Sequence, residues 1–323
     1  MKQHFNRIIL SLFLLIGITF MVSACSTTSN ALTFGEGDWD SHAFHNQVAK
    51  YMIENGYDTK VNVVASDTSI MISGLKSQNI DVTLEIWSDN IVTYDQDLLD
   101  GEYEEVSVNF DDNMQGLYIP SYLQEQYPGL ISVQDLKDYA FLFPDPEGSD
   151  QSIIYGGPEG WSATEFLQRK MVAYDLDDLY NFKTIDSGAT LTATIASAYR
   201  TESPWVGYNW EPTWTMGIFD LVLLEDTEYS ADKFALGEGA FPSVDVTVGV
   251  RNGLSEDYPE VYEFLTHYQT STEITNAALG YMQENSKEAD EAAIWFLLNY
   301  ESLWSTWVPE AVYQKIMDAL ELE

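Results

Sequence analysis

Asp81-Val82-Thr83-Leu84-Glu85-Ile86-Trp87 is the third of three β-like runs, and its spacing from the other two decides the fold class. Leu32–Phe34 opens the first run and leads into the turn Gly35-Glu36-Gly37, while Lys60–Ala65 alternates as the second. Between them Asp40 is placed to N-cap a helix whose Phe44, Val48, Tyr51 and Met52 share one face and which stops at Gly56. Ile70–Lys76 reads as a shorter helix. Strand, helix, strand, helix, strand is an α/β unit with a mostly parallel sheet. Ligands of open α/β sheets bind beyond the carboxyl ends of the strands. Trp39 and Trp87 fall just past two such ends.

A second run of the same kind follows. Glu105–Ile119 is extended, broken by Asp111-Asp112-Asn113, and Ser132–Asp138 starts the next α/β succession. It contains the loop Tyr155-Gly156-Gly157-Pro158-Glu159-Gly160-Trp161. Ser162-Ala163-Thr164-Glu165 then has the form of a capping box, opening a helix with Phe166, Leu167 and Met171 inward. Trp205–Tyr208 is a further strand, and Val244–Val250 is β-like and suited to return to the first lobe. Beyond Glu256 the pattern is helical. Two lobes joined by crossings near 115–120 and 242–248 make a clamshell, with lobe I formed by 32–117 and 243–323 and lobe II by 118–242.

Composition narrows the function. The chain has 323 residues, and 52 Asp+Glu against 14 Lys+Arg leave a formal charge of −38. Nucleic acid, which needs basic residues to neutralise phosphates, is disfavoured as a partner, as are anionic membrane surfaces. Twenty Tyr, 15 Phe and 9 Trp are enough to build a sizeable core. A single cysteine rules out internal disulfides and Cys-based zinc clusters.

That cysteine is placed tellingly. Lys2 and Arg7 precede the apolar run Ile8–Val22, too short for a membrane span of about 20 residues. Small residues lead into Cys25. The pattern resembles a bacterial lipobox, with residues 1–24 as signal peptide, Cys25 as the lipidated first mature residue and 25–31 as tether. The expected location is extracytoplasmic, with the membrane contacted only through the lipid anchor.

Catalytic constellations are scarce. His42 and His45 are three apart with no third soft ligand near, a pair better read as polar surface at a helix start than as metal ligands. The chain has no G-x-S-x-G elbow, and its glycine loop lacks the lysine of a nucleotide site. The paired carboxylates are too many for one glycosidase couple to stand out. Neither a cofactor nor a metal is expected.

Tryptophan is the informative residue. Trp295, Trp304 and Trp307 lie in the helical C-terminal part and are read as packing. Trp39, Trp87, Trp161, Trp205, Trp210 and Trp214 lie in or near loops at strand ends of both lobes. Aromatic faces hold sugars by stacking or a quaternary ammonium by cation–π attraction. A methylated ammonium has no N–H to donate, so carboxylate hydrogen bonds cannot select it, whereas an indole face asks for no donor. If the ligand carries a carboxylate, the helix opening at Ser162 offers free N–H groups and a positive dipole end beside Trp161.

Asp38-Trp39-Asp40-Ser41 resembles a motif in the substrate-binding proteins of glycine betaine/choline-type ABC transporters. So do Leu84-Glu85-Ile86-Trp87 with Asn90, Gly157-Pro158-Glu159-Gly160-Trp161-Ser162, and Tyr208-Asn209-Trp210-Glu211-Pro212-Thr213-Trp214. Gly116–Pro120 leading to Val133-Gln134-Asp135-Leu136 is similar to the family's entry into its second lobe. The resemblance spans nearly all of the mature chain and implies a type II periplasmic-binding clamshell with a tryptophan cage between the lobes. On it Trp39, Trp87 and Trp210 match cage positions, and Trp161 with Ser162 holds the glycine-loop position. Asn90, Asp40 and Glu211 join the expected ligand-binding residues. Asp38, Asp40 and Glu211 would suit a ligand of net positive charge. Some betaine binders carry a His a few residues past the second cage Trp, and Ser88-Asp89-Asn90-Ile91-Val92 has none, which keeps choline open beside betaines. The implied partner is the transmembrane subunit of an ABC permease, with the binding protein monomeric. Sugar or amino-acid binding and a secreted carboxylate hydrolase are the competing functions.

Overall fold

The computed structural model describes residues 31–322. The expected signal peptide (1–24), Cys25 and nearly all of the tether lie outside the described residues. Each of two sheets has five strands. The first takes the order β2-β1-β3-β10-β4, from β1 (Ala31–Glu36), β2 (Lys60–Ala65), β3 (Val82–Trp87), β4 (Glu104–Phe110) and β10 (Val246–Val250). The second, β7-β6-β8-β5-β9, is built from β5 (Gln115–Pro120), β6 (Ser152–Tyr155), β7 (Tyr180–Lys183), β8 (Gly207–Trp210) and β9 (Leu221–Leu223). β1 pairs in parallel with β2 and β3, and β6 with β7 and β8. β10 and β5 run antiparallel to both their neighbours. In each sheet four strands therefore share one direction and the returning strand opposes them, so the sheets are mixed.

The helices follow from their apolar faces. α1 (Asp40–Gly56) turns Phe44, Val48, Ala49, Met52 and Ile53 onto β1 and the C-terminal helices, a stripe at three- and four-residue spacing. Trp39, and not Asp40, is its N-cap residue, and no side chain caps it. α2 (Thr68–Lys76) is capped by Asp67, which accepts from the N–H of Ile70 at 2.9 Å. Leu32, Phe34, Phe296 and Trp304 belong to the core of the first lobe, with Trp307 beside them and Trp295 packed on its edge. Leu117, Ile154, Leu167, Leu191 and Val206 belong to the core of the second.

The first crossing comes earlier than the expected division at 117/118. Gln115, Gly116 and Leu117 already pair with Trp210, Asn209 and Tyr208 in the second sheet, so the chain changes lobe at 111–114. There Asn113 is buried and binds Val244 of the return crossing through both ends of its amide. Its Nδ2 donates to the Val244 carbonyl at 2.5 Å and its Oδ1 accepts from the Val244 N–H at 3.1 Å. Ser243 adds a hydroxyl bond to the Asp111 carbonyl. One side chain thus ties the two connecting segments together as a strand partner would. Asn113→Ala leaves both Val244 groups buried and unpaired. It is expected to lower stability by about 1–3 kcal/mol, read as a fall in the midpoint of thermal or urea unfolding; an unchanged midpoint would show that the crossings are held without it.

Candidate functional site

The carboxyl ends of β1, β3, β6 and β8 face a cavity of about 620 Å³ between the lobes. Trp39 enters from the turn after β1, and Trp87 is the last residue of β3. Trp161 comes from the glycine loop after β6, and Trp210 ends β8. Four of the six loop tryptophans thus reach one hollow. The other two do not. Trp205 is buried in the second core, stacked on Tyr155 at 6.1 Å. Trp214 packs against the first core from α5 (Trp214–Ile218), which lies beyond α3 (Ser162–Ala173) and α4 (Gly188–Thr201) in the chain.

Within the cavity wall Trp161 meets Trp210 edge to face, with ring centroids 5.2 Å apart and planes at 80°. Tyr208 stacks on Trp210 at 5.8 Å, its hydroxyl donating to Gln115 Oε1 at 2.9 Å. Tyr208 escaped notice in the sequence although the period of two in a strand puts residues 208 and 210 on one face. Gly188 backs this pair: a Cβ there would lie 3.1 Å from Trp210 and 3.3 Å from Trp161. A Cβ on Gly37 would overlap the Trp39 ring itself.

Asn90 and Ser162 line the same cavity and join the lobes, the Ser162 hydroxyl donating to Asn90 Oδ1 at 3.1 Å. This corrects the capping box. Ser162 is the first residue inside α3, Trp161 is the N-cap position, and no side chain caps the helix. The hydroxyl is spent across the cleft, and the N–H groups of Ser162, Ala163 and Thr164 have no hydrogen-bond partner among the described residues.

Asp40 and Glu211, expected beside the ligand, are not in this wall. Asp40 is exposed on the first turn of α1. Glu211 follows Trp210, and alternation turns it to the opposite side. There it accepts from the Tyr118 hydroxyl at 3.0 Å and Asn276 Nδ2 at 3.3 Å, and borders a second cavity of about 430 Å³ with Asp112 and Thr272. The acids that do line the first cavity are Glu36, Asp38 and Asp67, with no Lys, Arg or His among the described lining residues.

Beneath Trp39 lies a buried polar layer that the sequence reading placed at the surface. His42 and His45 are both 0% exposed, because α1 packs this face on β3. Burial pushes both imidazoles down to about 3, so they are neutral. His42 Nδ1 accepts from the Gly37 N–H at 2.9 Å, which leaves its proton on Nε2, 3.2 Å from Thr83 Oγ1. That bond holds the turn carrying Trp39. Glu85, on β3, accepts from the Trp39 indole N–H and, at 3.2 Å, from the Ser41 hydroxyl. Burial pushes its carboxyl up to about 7, against the hydrogen bonds of Trp39 and Ser41, which lower it. An acid in the middle of the otherwise apolar run Val82–Trp87 was the available signal.

Residues 30–299 match the family described as the substrate binding domain of ABC-type glycine betaine transport systems, and the chain belongs to that family. Its members bind a solute for an importer and are not enzymes. The two-lobed fold is shared with solved structures of low identity. One is a glycine betaine/L-proline-binding protein from Borrelia burgdorferi, with 20% identity and a TM-score of 0.68, covering 88% of this chain and 99% of that one. A choline-binding protein in complex with choline has 20% identity and a TM-score of 0.65, covering 90% and 98%. Lactococcal OpuAC, closed and complexed with glycine betaine, has 19% identity and a TM-score of 0.66, covering 86% and 99%.

The raised carboxyl of Glu85 makes native stability pH-dependent. Between about pH 4.5 and 7 the native state holds a proton that the unfolded state has released, so this group's contribution weakens as pH rises through that window. Thermal midpoints of the ligand-free protein measured from pH 5.5 to 8 are expected to fall more steeply in the wild type than in Glu85→Gln; parallel curves would show that Glu85 is already ionised below pH 5.5.

Proposed function

We propose that this member of the family is an extracytoplasmic lipoprotein that closes over a quaternary-ammonium osmolyte, glycine betaine, choline or a relative, and delivers it to its ABC permease. The observation that carries the reading is the convergence of Trp39, Trp87, Trp161 and Trp210, from both lobes, on one cavity without a basic residue in its described lining. An amino-acid binder ordinarily fixes the α-carboxylate with a guanidinium, and Arg169, Arg200 and Arg251 are all absent from this wall. A sugar needs many placed donors and acceptors around its hydroxyls. A trimethylammonium group needs only π faces, dispersion and exclusion of water.

The magnitudes suffice. Each indole face contributes about 0.5–2 kcal/mol once water is excluded. Three or four faces, with the burial of three methyl groups, reach micromolar affinity, about −8 kcal/mol. Glu36, Asp38 and Asp67 add a negative field that favours a ligand of net positive charge such as choline. For a betaine, the unpaired N–H groups at the start of α3 are the donors for its carboxylate. No bond is made or broken in this function. The protein acts as a monomer, held at the membrane through Cys25; among the described residues no helix is long and apolar enough to cross a bilayer.

Calorimetric titration with glycine betaine, choline and disaccharides tests the reading: heat is expected from a methylated amine, and heat from a sugar alone would overturn it. Trp87→Ala and Trp210→Ala should each weaken the methylated amine by about 1–3 kcal/mol; wild-type affinity in both would reduce these rings to packing. Cys25→Ser should move the protein from the membrane fraction to the soluble one with affinity unchanged, and unaltered fractionation would refute the anchor.

A further inference from the structure

Glu85 is 2% exposed and has no Lys or Arg among its contacts. One carboxylate oxygen, Oε2, takes the Trp39 indole N–H and the Ser41 hydroxyl. The other, Oε1, has no hydrogen-bond partner among the described residues. His45 Nε2 is 3.7 Å from it but is engaged elsewhere. Thr275 Oγ1 donates to the Ser271 carbonyl at 2.9 Å, so its oxygen is left to accept from His45 Nε2–H at 3.3 Å. His45 Nδ1 then accepts from the Tyr268 hydroxyl at 2.9 Å. A buried carboxylate without a counter-ion is costly, and here it sits directly behind a ring of the cavity wall.

That placement has a chemical consequence. An indole whose N–H donates to an anion carries more electron density on its faces than one donating to a neutral acceptor, and charge-assisted hydrogen bonds are about twice as strong as neutral ones. The ring face turned to the cavity is therefore made more attractive to a cation by a charge the cation never touches. A cation in the cavity in turn supplies the positive charge that the buried carboxylate lacks. The two stabilise each other across the indole.

Resting on the quaternary-ammonium reading above, we propose that Glu85 is a positioning and charge-supplying residue of the cage, which locks Trp39 through its indole N–H and serves, when ionised, as the buried counter-charge of the bound cation. Ligand binding and ionisation of Glu85 are then linked, and binding drives a proton off the protein. The titratable groups that face Glu85 do not mask this. His42 and His45 on α1 are held neutral by burial, and burial raises the Tyr268 hydroxyl well above its ordinary range, with the Glu85 charge adding to the rise. None of the three changes charge between pH 5.5 and 8.5. Glu85, raised to about 7 by burial, does.

The link also bears on selectivity. Choline brings an uncompensated positive charge, whereas a betaine brings its own carboxylate. Choline affinity should therefore lean on Glu85 more than glycine betaine affinity does.

Titration calorimetry with choline and with glycine betaine, from pH 5.5 to 8.5 and at pH 7 in two buffers of different ionisation enthalpy, tests the proposal on the full chain. Wild-type affinity for choline is expected to rise about fivefold with pH through 7, as the ionised carboxylate comes to face the bound cation across the indole. A few tenths of a proton should be released per choline bound at pH 7. Glu85→Gln keeps an acceptor for Trp39 and should bind choline about fivefold more weakly at pH 8, with no proton release and a flat pH profile. Its loss for glycine betaine should be smaller. Wild-type binding that is flat with pH and releases no proton overturns the proposal without any variant. So does a Glu85→Gln protein with wild-type affinity and proton release. Absence of heat from both ligands at every pH overturns the functional reading and this inference together, whereas pH-independent heat overturns this inference alone.

Discussion

Indole faces hold a methylated ammonium only where water is kept away from them, since in bulk solvent the same attraction is nearly cancelled by hydration. For the proposed ligand, exclusion of water is the constraint the rest of the structure has to answer. A single sheet end would leave its rings wet. Two sheets, each with four strands running one way, turn their carboxyl ends toward one cavity. Asn113 binds the two crossings to each other on one side, and the Ser162–Asn90 bond spans the lobes at the cavity. The hinge and the latch are both polar and few. In the proposed function such an arrangement suits a protein that also opens, because a large apolar interface would hold the lobes shut.

The electrostatics point the same way at two depths. Glu36, Asp38 and Asp67 stand in the wall, where water and salt screen them. Glu85 stands behind it, where screening is weak and each charge counts for more. The many acids over the surface contribute little to selecting a ligand. Glu85, the most deeply buried of the described acids and hydrogen-bonded to Trp39, would contribute the most specific part of the field in the proposed function.

Much of this was legible from the chain because its signals were local. The succession of Leu32–Phe34, Lys60–Ala65 and Asp81–Trp87 with helices between them reads directly as parallel strands, and tryptophans at the strand ends mark where the cavity between the lobes lies. What stayed hidden depends on partners distant in sequence. His42 and His45 look like surface polar residues until Tyr268 and Thr275 are brought against His45 and the turn at Gly37 against His42. Ser162 reads as a helix cap, yet Asn90 of the other lobe takes its hydroxyl. Asp40 and Glu211 sit next to Trp39 and Trp210 in sequence but are absent from the cavity wall. In a strand that follows from the alternation of side chains, and the Trp210–Glu211 pair could have been sorted by it. The first crossing was misplaced by a few residues because an extended run carries no mark of which sheet it joins.

In the proposed function the rings of Trp39, Trp87, Trp161 and Trp210 enclose the quaternary nitrogen of the ligand. A crystal structure grown with choline or glycine betaine measures it most directly. The quaternary nitrogen is expected within about 6 Å of the centroids of at least three of those rings, with the lobes closed around it. A ligand nitrogen outside the cavity, or held there by carboxylates with the rings turned away, would contradict it.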